Sequence, residues 1–160
     1  MPSGSLLPFK AATRSLHRPM QLAAITTTTF HRPDGYVYLT AERNRTEGWI
    51  YARWSGIQTL STVTEGGLAY LDMLRDEPCA KLLNDHSELV GPFSEANDWI
   101  AQVWTPRTIE AGLRYFAQVL APGIFGQLSL QDLHMRIGDL LEMRLFDNID
   151  EAKNWLRSVG

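Results

Sequence analysis

The chain has a single cysteine in 160 residues, Cys79, which excludes a disulfide framework and any zinc site built on several thiolates. Long apolar runs are missing too, since no stretch approaches the roughly 18–20 residues that a membrane-spanning helix needs. Neither sign of charge dominates: 15 Lys and Arg stand against 18 Asp and Glu, for a net of −3. A general nucleic-acid binder is therefore a poor fit. No GxGxxG or GxxxxGK(S/T) run follows a strand, and no HxxxH or HExxH spacing occurs. What is present is 44% apolar and 10% aromatic residues, enough for one self-sufficient core at this length. Composition predicts a soluble, cytoplasmic, single-domain protein without a cofactor, and names no activity.

Acidic residues are also unevenly placed. From Met1 to His31 there are three basic residues, Lys10, Arg14 and Arg18, and no acid; all 18 carboxylates lie from Asp34 onward. The segment 1–35 carries Pro2, Pro8 and Pro19, the run Thr26–Thr29 and the turn HRPDG at 31–35. It has the basic, acid-free look of a targeting peptide but lacks a secretory apolar core. It is expected to be a disordered tail, with the folded domain at 36–160. Met20 is an alternative start that would leave residues 1–19 as upstream sequence, which intact-mass measurement of the native protein tests.

From Tyr36 the pattern becomes regular. YVYLTAER (36–43) and GWIYARWSG (48–56) alternate like half-buried strands, and their five-residue connection predicts an antiparallel hairpin. Ile57, Leu60, Val63, Gly67, Leu68, Leu71 and Leu74 recur at helical spacing up to the break at Pro78. CAKLL (79–83) reads as a short buried strand and NDHSELVGP (84–92) as a loop. Ser94 is a candidate N-cap for a helix carrying Trp99, Ile100, Val103 and Trp104. Pro106 should kink or restart that helix with Thr105 as the new cap, and Gly112 should stop it. RYFAQVLAP (114–122) has strand composition, Ser129 with Asp132 signals another helix start, MRLF (143–146) is a last strand, and Asp147-Asn148 leads into IDEAKNWLRS. The expected order is ββαβαβαβα: an α/β fold with a mixed, mostly parallel five-stranded sheet and helices.

Two segments resemble a known family. MRLFDNIDEAKNWLRS (143–158) is similar to the closing strand and helix of small bacterial SpoIIAA-like proteins, relatives of the STAS domains of anti-sigma-factor antagonists. WTPRTIEAGLRYFAQVL (104–120) resembles their helix-then-strand core unit. The resemblance covers about 36–158 and implies a regulatory or ligand-binding module without catalysis, fold-related to CRAL-TRIO lipid-transfer domains. In STAS antagonists a serine in an Asp-Ser motif, at the helix after the third strand, is phosphorylated. No Asp-Ser pair stands at the corresponding junction here, so Ser87 and Ser94 are the available phosphorylation candidates, flanked by Asp85, Glu88, Glu95 and Asp98.

The candidate binding residues are accordingly Asn84, Asp85, His86, Ser87, Ser94 and Trp99, at the strand ends where open α/β sheets bind ligands. The expected partner is a protein or a small apolar ligand or lipid, with no nucleic acid, no membrane span and no metal; a homodimer burying exposed Trp is a further expectation. An enzyme is the alternative, a small hydrolase using Asp85, His86 and Ser87. It requires these neighbours to converge on one reacting atom, which adjacent residues rarely do. Cys79 reads as a small core residue. Gly66-Gly67, inside a helical period, predicts a close helix–sheet or helix–helix approach. Trp49 and Trp54, at odd spacing, belong on opposite faces of their strand.

Overall fold

The computed structural model describes Gly4 and residues 22–160; the other residues before Leu22, Met20 among them, lie outside the described residues. Six strands form one sheet: β1 (Ile25–His31), β2 (Val37–Asn44), β3 (Trp49–Ile57), β4 (Lys81–Val90), β5 (Tyr115–Val119) and β6 (Glu142–Phe146). They lie side by side in chain order. β1–β2 and β2–β3 are antiparallel, whereas β3–β4, β4–β5 and β5–β6 are parallel. The α/β class and the mixed, mostly parallel sheet follow the expectation. The count of five strands does not, because Ile25–His31, assigned above to the tail, is a sixth strand. Its threonines are exposed, so this strand gains its order from backbone pairing with β2 over Ile25 to His31 and hardly from burial.

The helices are α1 (Leu60–Asp76), α2 (Asn97–Trp99), α3 (Thr105–Glu110), α4 (Ile124–Ile137) and α5 (Ile149–Ser158). α1 starts at Thr59, whose hydroxyl accepts from the Thr62 N–H while the Thr62 hydroxyl accepts from the Thr59 N–H, a reciprocal cap that meets two otherwise free donors. It ends before Pro78, as expected. α5 matches its prediction and is capped by Asn148, which accepts from the Glu151 N–H. Arg157 near its far end grips Glu47 of the β2–β3 turn at 2.8 Å.

Strand alternation sorts the core into two layers. Ile50, Trp54, Leu82, Phe116 and Met143 face α1, α4 and the segment 94–110, while Trp49, Leu83, Ala117 and Val119 pack against Ala152, Trp155 and Leu156 of α5. Trp49 and Trp54 thus fall on opposite faces, and both are buried. Gly66 and Gly67 serve the close approach that the sequence predicts: a Cβ on Gly66 would meet the Trp54 ring and one on Gly67 the Trp99 ring, each within 3 Å.

Segment 94–110 winds through four stretches of three pitches: a 3-10 turn at Ser94–Ala96, α2, a π-helical turn at Ile100–Trp104, and α3. Pro106 has no N–H, so the α-helical bond to the carbonyl four residues back is lacking there. The Thr105 N–H closes the wider ring on the Ile100 carbonyl instead, and the Thr105 hydroxyl adds a bond to the same oxygen at 2.9 Å. Thr105 is therefore the hinge of a continuous segment, where the sequence suggested a new cap. Asn97, wholly buried, pins the segment to α4 through the Ser129 carbonyl and the Asp132 carboxylate, both at 2.9 Å.

Two expected caps are absent. Ser94 does not cap; the position before this 3-10 turn is Phe93, with no side-chain cap. Ser129 lies in the middle of α4, where its hydroxyl accepts from the Phe93 N–H at 3.1 Å, so α4 begins five residues earlier, at Ile124.

Candidate functional site

The largest correction concerns residues 84–90, read above as a loop. They belong to β4, which runs to Val90 through the middle of the sheet. Successive residues of a strand point to opposite faces, and the turn-forming side chains Asn84 and Asp85 are satisfied here by tertiary partners. On the α5 face, Asp85 Oδ2 accepts from the Tyr51 hydroxyl at 2.8 Å and Oδ1 accepts from the Ser87 N–H at 2.8 Å. Burial and the adjacent Asp85 carboxylate together push the Tyr51 hydroxyl far above its ordinary range. Asn84 and His86 point the other way, into the helix-covered layer. Asp85, His86 and Ser87 therefore do not converge, and the acid–base–hydroxyl cluster needed for a hydrolase is not assembled. Ser87 is exposed, as is Ser94.

The side chains that do come together surround a cavity of about 50 Å³ between β3–β5 and the roof of α1, the π-turn and α4. Its aromatic wall is made of Trp54, Phe93, Trp99, Trp104 and Phe116. Trp104 is held in place by its indole N–H, which donates to the Gly67 carbonyl at 2.8 Å. Between the rings runs a polar strip. The Trp54 indole N–H donates to Asn84 Oδ1 at 2.9 Å, and Asn84 Nδ2 donates to Gln118 Oε1 at 2.7 Å. Asn84 Nδ2 also lies 3.2 Å from His86 Nε2, and Gln118 Nε2 donates to the Val119 carbonyl at 2.9 Å. Asn84 and Gln118 are register partners of β4 and β5, so the sheet itself sets this contact.

His86 sits at an irregularity that presents it to the cavity. β3 and β4 pair at Arg53 with Asp85 and resume at Ser55 with Glu88, so His86 and Ser87 together oppose Trp54. A bulge of this kind re-aims side chains and increases local twist. After it Leu89, an odd number of residues from His86, also faces the cavity. The His86 ring packs edge-on against Phe93, with centroids 5.0 Å apart. Burial pushes its pKa down to about 4, with the Asp85 charge opposing the shift, so the imidazole is neutral near pH 7.

Two residues that line the cavity each carry a fully buried polar atom without a hydrogen-bond partner, His86 at Nδ1 and Tyr70 at its hydroxyl. Buried groups of this kind are nearly always satisfied, so each orphan calls for an explanation. Beside the cavity a surface cleft of about 90 Å³ is lined by Gln58, Thr59, Leu60, Phe93, Ser94 and Glu95. Gln58 and Phe93 line both spaces, which therefore adjoin at these two side chains. Gln58 is tied down on either side, donating to the Ser55 carbonyl and accepting from the Thr62 hydroxyl, each at 2.9 Å.

Of the six predicted site residues, the structure brings Asn84, His86 and Trp99 to the cavity and Ser94 to the adjoining cleft, and leaves Asp85 and Ser87 outside both. Tyr70, Gln118, Gln58 and Phe93 were missed. Tyr70 falls on the helical period of α1 and Gln118 interrupts an apolar strand; a polar side chain at an inward-facing position is the signal that could have found Gln118. Cys79 is half-buried, and desolvation raises its thiol pKa, in line with a packing role.

No protein-family model matches the chain, and no curated protein matches it. Among the described residues no helix is long and apolar enough to cross a membrane, and no three His, Cys, Asp or Glu side chains are grouped as a metal ion would require.

Proposed function

We propose that this chain is a non-catalytic binding module of the STAS/SpoIIAA-like kind, and that it works by holding a small apolar ligand in the cavity beneath its helix layer. The observation that carries this reading is the aromatic-walled void with the polar side chains of Asn84, His86 and Gln118 among its lining. Apolar walls with a few fixed polar groups are the common design of small-molecule sites. The ligand reaches the cavity past Gln58 and Phe93, from the cleft that Ser94 lines. At about 50 Å³, against roughly 10–15 Å³ for one water, the space suits a few heavy atoms and not an acyl chain. That size disfavours the lipid-transfer branch of the resemblance. A hydrolase built on Asp85, His86 and Ser87 gains no support from side chains that diverge.

The test is a fragment screen on the full chain, read by tryptophan fluorescence and protein-observed NMR. Shifts confined to residues such as Trp54, His86, Trp104 and Gln118 support the reading; hits scattered over the surface, or none, oppose it.

A protein-contact role is a second reading, carried by a separate observation. Ile57 and Val90, register partners at the ends of β3 and β4, are mostly exposed. Phe125 of α4 is exposed as well, next to Gly126, which approaches the Gly91 carbonyl. Sedimentation of wild type and of Phe125→Glu tests it, a dimer lost in the variant being the supporting result.

A further inference from the structure

We propose that the outer edge of β1 is a self-association surface, where a second copy of this chain adds its own β1 antiparallel and the two sheets become one. This contact is independent of the cavity and lies on a different surface from Phe125. Strand β1 ends the sheet, and β2 is its one substantial neighbour among the described residues. Its backbone shows which groups are left over. The Arg45 N–H donates to the Ala24 carbonyl at 2.8 Å, and the Arg32 N–H to the Tyr36 carbonyl at 2.9 Å. In an antiparallel ladder every second residue bonds to a given neighbour, so the even-numbered positions between these two address β2. The N–H and C=O groups of Ile25, Thr27 and Thr29 are therefore directed to the outer edge, where they form a template for another strand.

The two edges of the sheet differ in how they are guarded. At the far edge, β6 is five residues long and carries the exposed charges of Glu142 and Arg144, a device that blunts pairing. β1 is seven residues long and contains no Pro, Lys, Arg, Asp or Glu. Its one irregularity falls at its end, between Phe30 and His31. The strand's own sequence selects the occupant. A two-fold axis sets the same surface against itself, so a charged edge would bring like charges together, which is unfavourable. ITTTTFH has none to bring. Full overlap of the seven residues puts Thr28 on the axis. Thr27 then stands opposite Thr29 of the second copy, Thr26 opposite Phe30 and Ile25 opposite His31. Thr–Thr and aromatic–β-branched pairs across strands are favourable. The same register lets Thr27 and Thr29, whose backbone groups point outward, exchange hydrogen bonds, while Thr28 meets its own copy as a pair without them.

Sedimentation of the full-length chain at micromolar concentration is expected to show a dimer. Thr27→Pro removes an N–H that the protomer's own ladder does not use, and proline is tolerated at such edge positions. It is expected to weaken the dimer about 10-fold or more and to leave the near-UV circular dichroism unchanged. A dimer that survives Thr27→Pro overturns the proposal, and one that Phe125→Glu alone abolishes belongs to the α4 surface. A wild-type chain that stays monomeric overturns it as well; slow amide exchange at Thr27 and Thr29 in that monomer would assign the edge to residues before Leu22. Thr28→Cys in a Cys79→Ser background gives a second test that does not need the proline variant to fold. Its two thiols would sit on Cα atoms about 4.5 Å apart, within the range a disulfide spans, so mild oxidation is expected to link the dimer. A dimer that does not cross-link there overturns the β1 contact.

Discussion

Alanine at position 66 would place its Cβ 2.4 Å from the Trp54 ring and 2.8 Å from Leu39 Cδ2. Neither neighbour has room to retreat, since Trp54 is 5% and Leu39 0% exposed, and the Trp54 indole is tied to Asn84. Overpacking of this kind costs about 1–3 kcal/mol. Against it stands about 1 kcal/mol gained by replacing a helical glycine with alanine. Gly66→Ala is therefore expected to destabilise the fold by up to about 2 kcal/mol. The adjacent Gly67→Ala supplies the control. Its Cβ would meet the Trp99 ring at 2.8 Å, but that ring is half-buried and can swing toward solvent, so the two effects should cancel to within about 0.5 kcal/mol. Urea denaturation followed by far-UV circular dichroism separates the two cases. With a slope of about 2 kcal/mol per molar for a domain of this size, Gly66→Ala should lower the midpoint by up to about 1 M, while Gly67→Ala should leave it nearly in place and alter tryptophan fluorescence. A Gly66→Ala midpoint at or above wild type would refute the claim that this glycine exists to admit Trp54.

His86 makes stability depend on pH. Its pKa is about 4 when folded against about 6.5 when unfolded, so the unfolded chain binds the extra proton between these values. Stability is full above pH 6.5 and declines toward pH 4, by about 3 kcal/mol in total; chemical denaturation at pH 7 and pH 4.5 measures it, and His86→Phe should flatten the slope. Asn84→Asp should raise the His86 pKa by about 1–3 pH units, because a carboxylate there attracts a proton to Nε2; an NMR titration that still shows about pH 4 would contradict the hydrogen-bond assignment. Asn148→Ala should cost about 1 kcal/mol through the lost cap of α5, read as a lower denaturation midpoint.

The elements legible in the sequence were those whose signals are local. The β2–β3 hairpin announces itself by alternation and a turn, and α5 by Asn148 and a clean apolar face. β1 was illegible because its run of threonines offers no apolar alternation. Its order comes from backbone bonds to a strand that the sequence does not mark as needing an edge partner. β4 was misread for a related reason: Asn84, Asp85 and Ser87 favour turns unless partners elsewhere engage them. Those partners, Trp54, Tyr51 and Gln118, lie about 30 residues away in sequence. The same cause hid half of the site. Trp99 was visible from helical spacing, but Tyr70 and Gln118 acquire meaning only when the sheet register sets β5 beside β4. His86 was selected as part of a loop cluster, and its position owes instead to a bulge.

The strands lie in the sheet in the order in which the chain presents them. Each new strand adds to the edge left by its predecessor, and none has to wait for a later one to be inserted between existing neighbours. As the chain emerges N-terminus first from the ribosome, the β1–β3 meander can form before the first parallel crossover is complete. Every subsequent βα unit then finds a template already laid down. Pairing only between successive strands also keeps loop closures short, which favours rapid folding. The cavity, walled by β3 to β5 and roofed by α4, is among the last features that such a sequence of additions can close.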